Sequence, residues 1–154
     1  MSELRTILLA EDNPKDAELT LEALNEHNLA NQVVVVKDGV EALEYLRCQG
    51  NYKMRRKGFP VVLLMDIKMP RKDGIETLQE IRNDAALKML PVVMLTSSRE
   101  EQDLIRSYEL GVNAYVVKPV DFKEFIGAVK QVGVFWAIIN ELPPAGFLEN
   151  ENHG

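Results

Sequence analysis

Five short apolar runs punctuate the chain, and each gives way to a stretch whose apolar positions recur at helical spacing. The runs are Thr6–Ala10 (TILLA), Gln32–Val36 (QVVVV), Val61–Met65 (VVLLM), Val92–Leu95 (VVML) and Ala114–Val117 (AYVV). Most are continuous Val, Ile or Leu rather than alternating, the pattern of parallel strands buried on both faces. Asn13 followed by Pro14 predicts an N-cap and a first helical position, after which Ala17, Leu21 and Leu24 share a face. Val40, Leu43 and Leu46 do the same within Asp38–Gln49, and Ile75, Leu78 and Ile81 after Asp73 and Gly74. Leu104, Ile105, Tyr108 and Leu110 mark a fourth helix that stops at Gly111, and a fifth runs from near Asp121 to about Asn140.

Five strand-then-helix units joined by right-handed crossovers predict an α/β doubly wound parallel sheet with helices on both faces. Five strands suit the flavodoxin-like order 2-1-3-4-5, whereas a barrel needs eight. Ligands of such sheets sit at the carboxyl ends of the strands, at the switch point between strands one and three.

The polar residues collect there. Strand one ends in Glu11 and Asp12, strand three in Asp66, strand four in Thr96 and Ser97, and strand five in Lys118 and Pro119. Each has an ordinary explanation taken singly: loop acids before a helix, a turn former, a helix cap, a solvated lysine. Those explanations are hard to hold together when every residue stands at the same end of a different strand. Three packed carboxylates repel one another unless a cation neutralises them. Oxygen ligands suit Mg²⁺, which typically takes one or two carboxylates plus a phosphate and keeps several waters. A lysine and a hydroxyl suit phosphoryl oxygens. The set fits metal-assisted phosphorylation of an aspartate.

With 154 residues, 46% of them apolar and 27% charged, the chain fits one soluble domain. A net charge of −6 and a pI of about 5.0 argue against nucleic-acid binding through a general basic surface. No window reaches the roughly 18 apolar residues of a membrane span, and the amino terminus lacks a signal-peptide pattern. Cys48 is the single cysteine, so no internal disulfide forms. A cytoplasmic protein is expected.

The stretch LLMDIKMPRKDG (residues 63–74), the acid pair Glu11-Asp12, Leu95-Thr96-Ser97 and Tyr115-Val-Val-Lys118-Pro119 resemble the receiver domain of two-component response regulators, the CheY-like family. The likeness covers roughly Thr6 to Phe125. It implies that Asp66 accepts a phosphoryl group from a phosphohistidine of a sensor histidine kinase. It further implies Mg²⁺ or Mn²⁺ held by Asp12, Asp66 and the Lys68 backbone carbonyl, with Glu11 acting through water. Thr96 and Lys118 would grip the phosphate, Tyr115 would be the switch aromatic, and the bond before Pro119 would be cis. Such a protein promotes phosphorylation and dephosphorylation of its own aspartate only. Two positions are distinctive. Glu11 stands where the pair is often Asp-Asp, and Lys68 places a basic side chain at the mouth of the site, where it would slow the hydrolytic water. A phosphohydrolase of the haloacid dehalogenase type also uses a strand-end Asp, but it expects a second acid at position 68.

Three features lie outside those motifs. Residues 47–59 form a long connection with a basic cluster, Lys53, Arg55, Arg56 and Lys57, either solvated or a partner contact. His27 and His153 lack metal-ligand spacing. At about 100° per residue, Phe122, Phe125, Ile126, Val129, Val132 and Trp136 share the sheet-facing side of the last helix. Ala128, Phe135, Ile138, Ile139 and Leu142 point elsewhere, which predicts a homodimer through Phe135, Ile138, Ile139 and Leu142 unless the tail covers them. The domain is therefore expected to span 1–142, with a tail at 143–154. The long basic loop, Trp136 and the Leu142-Pro143-Pro144 ending resemble single-domain regulators paired with phytochrome-type histidine kinases. A chemotaxis-type or phosphorelay-shuttle receiver is the alternative.

Overall fold

The computed structural model describes residues 6–26, 32–56, 58–98, 100–101, 114–134 and 138. Its elements are β1 (Thr6–Ala10), α1 (Pro14–Asn25), β2 (Gln32–Val36), α2 (Gly39–Arg47), a 3₁₀ turn (Gly50–Tyr52), β3 (Val62–Asp66), α3 (Gly74–Asn83), β4 (Val92–Thr96), β5 (Tyr115–Val117) and α4 (Phe122–Gln131). All five strands are parallel, in the order β2-β1-β3-β4-β5. Glu100 and Glu101 are helical, and the rest of the expected fourth helix (Leu104 to Gly111) lies outside the described residues.

Side chains of a strand alternate between the two faces of its sheet. Leu8, Ala10, Leu63, Met65 and Met94 therefore pack with Leu43 and Leu46 of α2 and Leu78 and Ile81 of α3. Their neighbours Ile7, Leu9, Val62, Leu64, Val93 and Leu95 pack with Ala17 and Leu24 of α1 and Phe125 and Val129 of α4. Burial on both faces holds for β1, β3 and β4 but not for β2, where Val36 alone is buried and Val35 is 37% exposed. The strand order explains the difference, because β2 is an edge.

Polar side chains set the helix starts. Asn13 accepts the N–H groups of Lys15 and Asp16, Asp38 that of Glu41, and Asp121 that of Glu124. Asp73 and Glu76 form a reciprocal capping box at α3.

The last helix departs from the expectation of one continuous rod to about Asn140. α4 closes at Gly133, whose φ is 80°. Gly133 N–H donates to the Lys130 carbonyl at 3.1 Å and Val134 N–H to the Val129 carbonyl at 3.0 Å. That pair of bonds is a Schellman cap, which ends a helix at a left-handed residue. Ile138 is helical again, its N–H reaching the Val134 carbonyl, but in a new phase. It is 1% exposed and packs with Phe125 and Val129, so Ile138 belongs to the chain's own core and not to an outward surface. Ala128, placed on the same outward set, is likewise buried. Phe135, Ile139 and Leu142 lie outside the described residues.

The connection after α2 is tied down. α2 ends at Cys48, which has a φ of 54° and is half-buried. Arg55 donates through Nε and Nη2 to the Tyr45 carbonyl, at 3.0 and 2.7 Å, and its guanidinium lies 4.0 Å from the centre of the Tyr45 ring. Arg55 thus staples the loop, while Lys53 and Arg56 remain exposed and Lys57 lies outside the described residues.

Candidate functional site

The expected strand-end residues meet at the carboxyl edge of β1, β3, β4 and β5. Pairing carries β3 one residue further than the apolar run alone suggests, because Asp66 sits opposite Leu95 in the ladder. Thr96, also within its strand, pairs with Val117, and its carbonyl accepts Lys118 N–H at 2.8 Å. The Lys118–Pro119 bond is cis.

Carboxylate oxygens of Glu11, Asp12 and Asp66 lie within 4.8 Å of one another. Glu11 and Asp66 are buried, at 2% and 5% exposure, while Asp12 is open to solvent. Lys118 reaches these acids from the end of β5. Its Nζ donates to Glu11 Oε1 at 3.1 Å, Asp66 Oδ2 at 3.0 Å and Asp16 Oδ2 at 3.0 Å, which uses all three ammonium protons. Burial alone would lower the lysine pKa, but bonds to Asp66, Asp16 and Glu11 outweigh it and raise the value. Burial pushes the Glu11 carboxyl up to about 7, reinforced by the neighbouring Asp66 and opposed by the Asn13 N–H and Lys118. One ammonium therefore offsets only part of a dense negative cluster.

That donor set fits a hard divalent ion. Oxygens opposite one another around Mg²⁺ are about 4.2 Å apart, twice the roughly 2.1 Å bond length, and the three acids, within 4.8 Å of one another, come close to that span; an ion that keeps several waters can bridge the remainder. A cleft of about 560 Å³ opens beside them, lined by Asp12, Ile67, Lys68, Met69, Pro70, Asp73, Ile75 and Glu101. Lys68 thus lines the same cleft as Asp12, with its residue exposed. Thr96 is fully buried at the end of β4, the strand beside the acceptor strand, and Tyr115, paired with Met94 two residues before Thr96, is half-buried against the α2–α3 side.

Two participants are not apparent from strand ends alone. Asp16, the third partner of Lys118, lies four residues after Asp12 in the first turn of α1, and that helical spacing is the available clue. Glu101 is 7% exposed, and its Oε1 accepts both the N–H and the hydroxyl of Ser97 at 2.7 Å. Its Oε2 is buried with no hydrogen-bond partner among the described residues. The Ser98-x-x-Glu101 pattern of a capping box is its sequence signal.

A model of the response regulator receiver domain matches residues 7–130. Response regulator Rcp1 of Synechocystis sp. is 38% identical over 141 residues, 92% of this chain and 95% of Rcp1. Its Mn²⁺-bound crystal structure superposes with a TM-score of 0.69 at 37% identity, over 92% of this chain and 99% of that one. The bacteriophytochrome response regulator AtBRR is 60% identical, with a TM-score of 0.86, over 91% of this chain and all (100%) of that one. The phosphorylated cyanobacterial phytochrome response regulator RcpA gives 40% identity and a TM-score of 0.69, over 87% and 94%. With a carboxylate cluster and a lysine at the switch point of its sheet, and these likenesses over most of its length, the chain belongs to the response regulator receiver domain family.

Proposed function

We propose that Asp66 is the phosphoryl acceptor, and that its donor is a phosphohistidine of a phytochrome-type sensor histidine kinase in the cytoplasm. The observation that carries the acceptor role is the burial of Asp66 among two further acids with Lys118 bonded to its Oδ2. An Asp66 oxygen attacks phosphorus, the P–N bond to the donor imidazole breaks, and its electron pair stays on the nitrogen, which is protonated from solvent. Lys118 is placed to exchange a carboxylate partner for a phosphoryl oxygen, and the Thr96 hydroxyl supplies a second bond there. Tyr115, two residues from the Thr96 register, is the aromatic that responds. Asp12, Asp66 and the Lys68 carbonyl would hold Mg²⁺ or Mn²⁺, with Glu11 behind them through water. Bound there, the ion offsets repulsion between carboxylate and phosphoryl oxygens.

The phytochrome link rests on the likeness to AtBRR, RcpA and Rcp1. The signal leaves as a changed protein surface, including a homodimer formed through Phe135, Ile139 and Leu142. Incubation with acetyl phosphate and Mg²⁺ tests the acceptor: one phosphoryl mass gained by wild type and not by Asp66→Asn supports the assignment, and equal gain by both places the chemistry elsewhere.

A further inference from the structure

Between Asp66 and the N-cap Asp73 the chain makes a γ-turn. Lys72 N–H donates to the Pro70 carbonyl at 2.6 Å across Arg71, whose φ is 62°. A positive φ crowds Cβ against the backbone in any residue with a side chain, and a γ-turn of that hand is rare. Such a conformation persists only where its surroundings over-determine it.

The surroundings are specific. Arg71 Nε donates to Asp38 Oδ2 at 2.8 Å and Nη2 to Asp38 Oδ1 at 3.1 Å, a two-point pair that fixes the guanidinium plane. Asp38 is 5% exposed and is itself held, since Oδ1 also accepts the Glu41 N–H at the start of α2. Next to it, Gly39 N–H donates to the Lys72 carbonyl at 3.0 Å. A Cβ at position 39 would lie 2.6 Å from that carbonyl and 1.9 Å from Thr77 Oγ1, so the close approach requires glycine. At the other end Gly74 N–H donates to the Ile67 carbonyl at 2.7 Å, where a Cβ would meet the Asp66 carbonyl at 2.4 Å. The segment 67–73 is thereby bolted to the acceptor strand through Gly74 and to α2 through Arg71 and Gly39.

Lys68 lies inside that segment and shares the cleft with Asp12. We propose that the Arg71–Asp38 pair is a positioning device for the phosphorylation site. It holds the γ-turn, and through it the Lys68 carbonyl, in register with Asp12 and Asp66. The inference rests on the metal reading given above. Arg71 touches no reacting atom and acts only through the loop. Charge and geometry predict opposite results when it is removed. Loss of a nearby positive charge alone would tighten cation binding, whereas loss of positioning weakens it.

The test titrates Mg²⁺ by calorimetry into wild type, Arg71→Gln, Arg71→Lys and Arg71→Gly, and measures amide hydrogen exchange of each metal-free protein. Arg71→Gly removes the same pair while relieving the positive φ, so comparing it with Arg71→Gln separates loss of the Asp38 partner from backbone strain, and a thermal melt of each variant shows that it is folded. The expected result is faster exchange at the Gly39 amide in Arg71→Gln and Arg71→Gly, with the Mg²⁺ Kd raised on the order of 10-fold, as when an outer-shell partner is lost. Arg71→Lys, keeping one charged donor, falls between. Unchanged or tighter Mg²⁺ binding in Arg71→Gln and Arg71→Gly overturns the proposal, even if Gly39 exchange rises, because the pair is then structural only. A wild-type protein that binds no Mg²⁺ overturns the metal reading itself, and the positioning role falls with it.

Discussion

Lys118 is the residue on which the resting site balances. Its ammonium is 17% exposed and is bonded to Glu11, Asp66 and Asp16, of which the Glu11 side chain is fully buried. Removing one member of a buried charge set leaves the others unpaired, at a cost of about 3 kcal/mol or more. Lys118→Ala should therefore lose stability in chelator, and Mg²⁺ should restore more of it than it adds to wild type. Thermal melts of both proteins with and without Mg²⁺ check this, and an equal Mg²⁺ increment in the two would contradict it. The variant should also accept phosphoryl groups far more slowly, since among the described residues Lys118 is the ammonium bonded to Asp66. Lys68 differs, being exposed on the cleft wall with no part in that balance. Lys68→Ala should leave phosphoryl transfer intact and shorten the acyl-phosphate half-life, read by loss of the phosphorylated mass with time. Asp66, Glu11, Asp12 and Lys118 were legible in the sequence because strand ends share an edge. Asp16 and Glu101 were not, because their roles depend on side chains returning from helices.

Elements were legible to within a residue or two wherever local chemistry marks their ends. Asn13-Pro14, Asp38, Asp73 and Asp121 each sit at the start of the helix they announce. The end of α4 was missed because a glycine inside an apolar periodic stretch reads as tolerated, whereas Gly133 adopts a left-handed φ of 80° and closes the helix. A Cβ at Gly133 would find open space, so Gly133→Ala isolates backbone strain. It should cost about 1–2 kcal/mol, measured by denaturant unfolding, with phosphorylation unchanged. A second element-level device joins α2 to α3. Arg47 bonds to Glu80 and Asp84 at 3.0 Å each, and Lys72 also pairs with Glu80. The Lys72 and Arg47 partners hold the Glu80 carboxyl below its ordinary value, and the Ala86 N–H with Arg47 does the same for Asp84. Groups with depressed folded pKa values contribute stability above their unfolded values of 4.5 and 3.8, and lose it as pH falls through the folded values. Wild type should thus lose stability on acidification below about pH 4.5 more steeply than Arg47→Met, in parallel denaturant series from pH 6 to pH 3. Identical slopes would show that the pairs add nothing.

At the scale of the whole molecule, the doubly wound order followed from alternation of strand and helix, and the switch point followed from the order. Long-range placement of the carboxyl-terminal residues did not, because it depends on the helical phase after Gly133 and on what the core leaves open. A continuous helix would carry Ile138 outward, yet Ile138 closes the face of the sheet covered by α1 and α4. That distinction separates two kinds of surface substitution that the apolar pattern treats alike. Ile138→Asp would bury an unpaired carboxylate among Phe125, Val129 and their neighbours, a change of the class that costs several kcal/mol. It should lower the melting temperature or prevent folding, and should not yield a well-folded monomer. Leu142→Asp, by contrast, tests the proposed contact between copies. It should leave the melting temperature of the dilute protein and its gain of one phosphoryl group unchanged, while shifting sedimentation from dimer to monomer. A folded, monomeric Ile138→Asp protein would return Ile138 to the interface, and a Leu142→Asp protein that remains dimeric would remove the carboxyl-terminal segment from it.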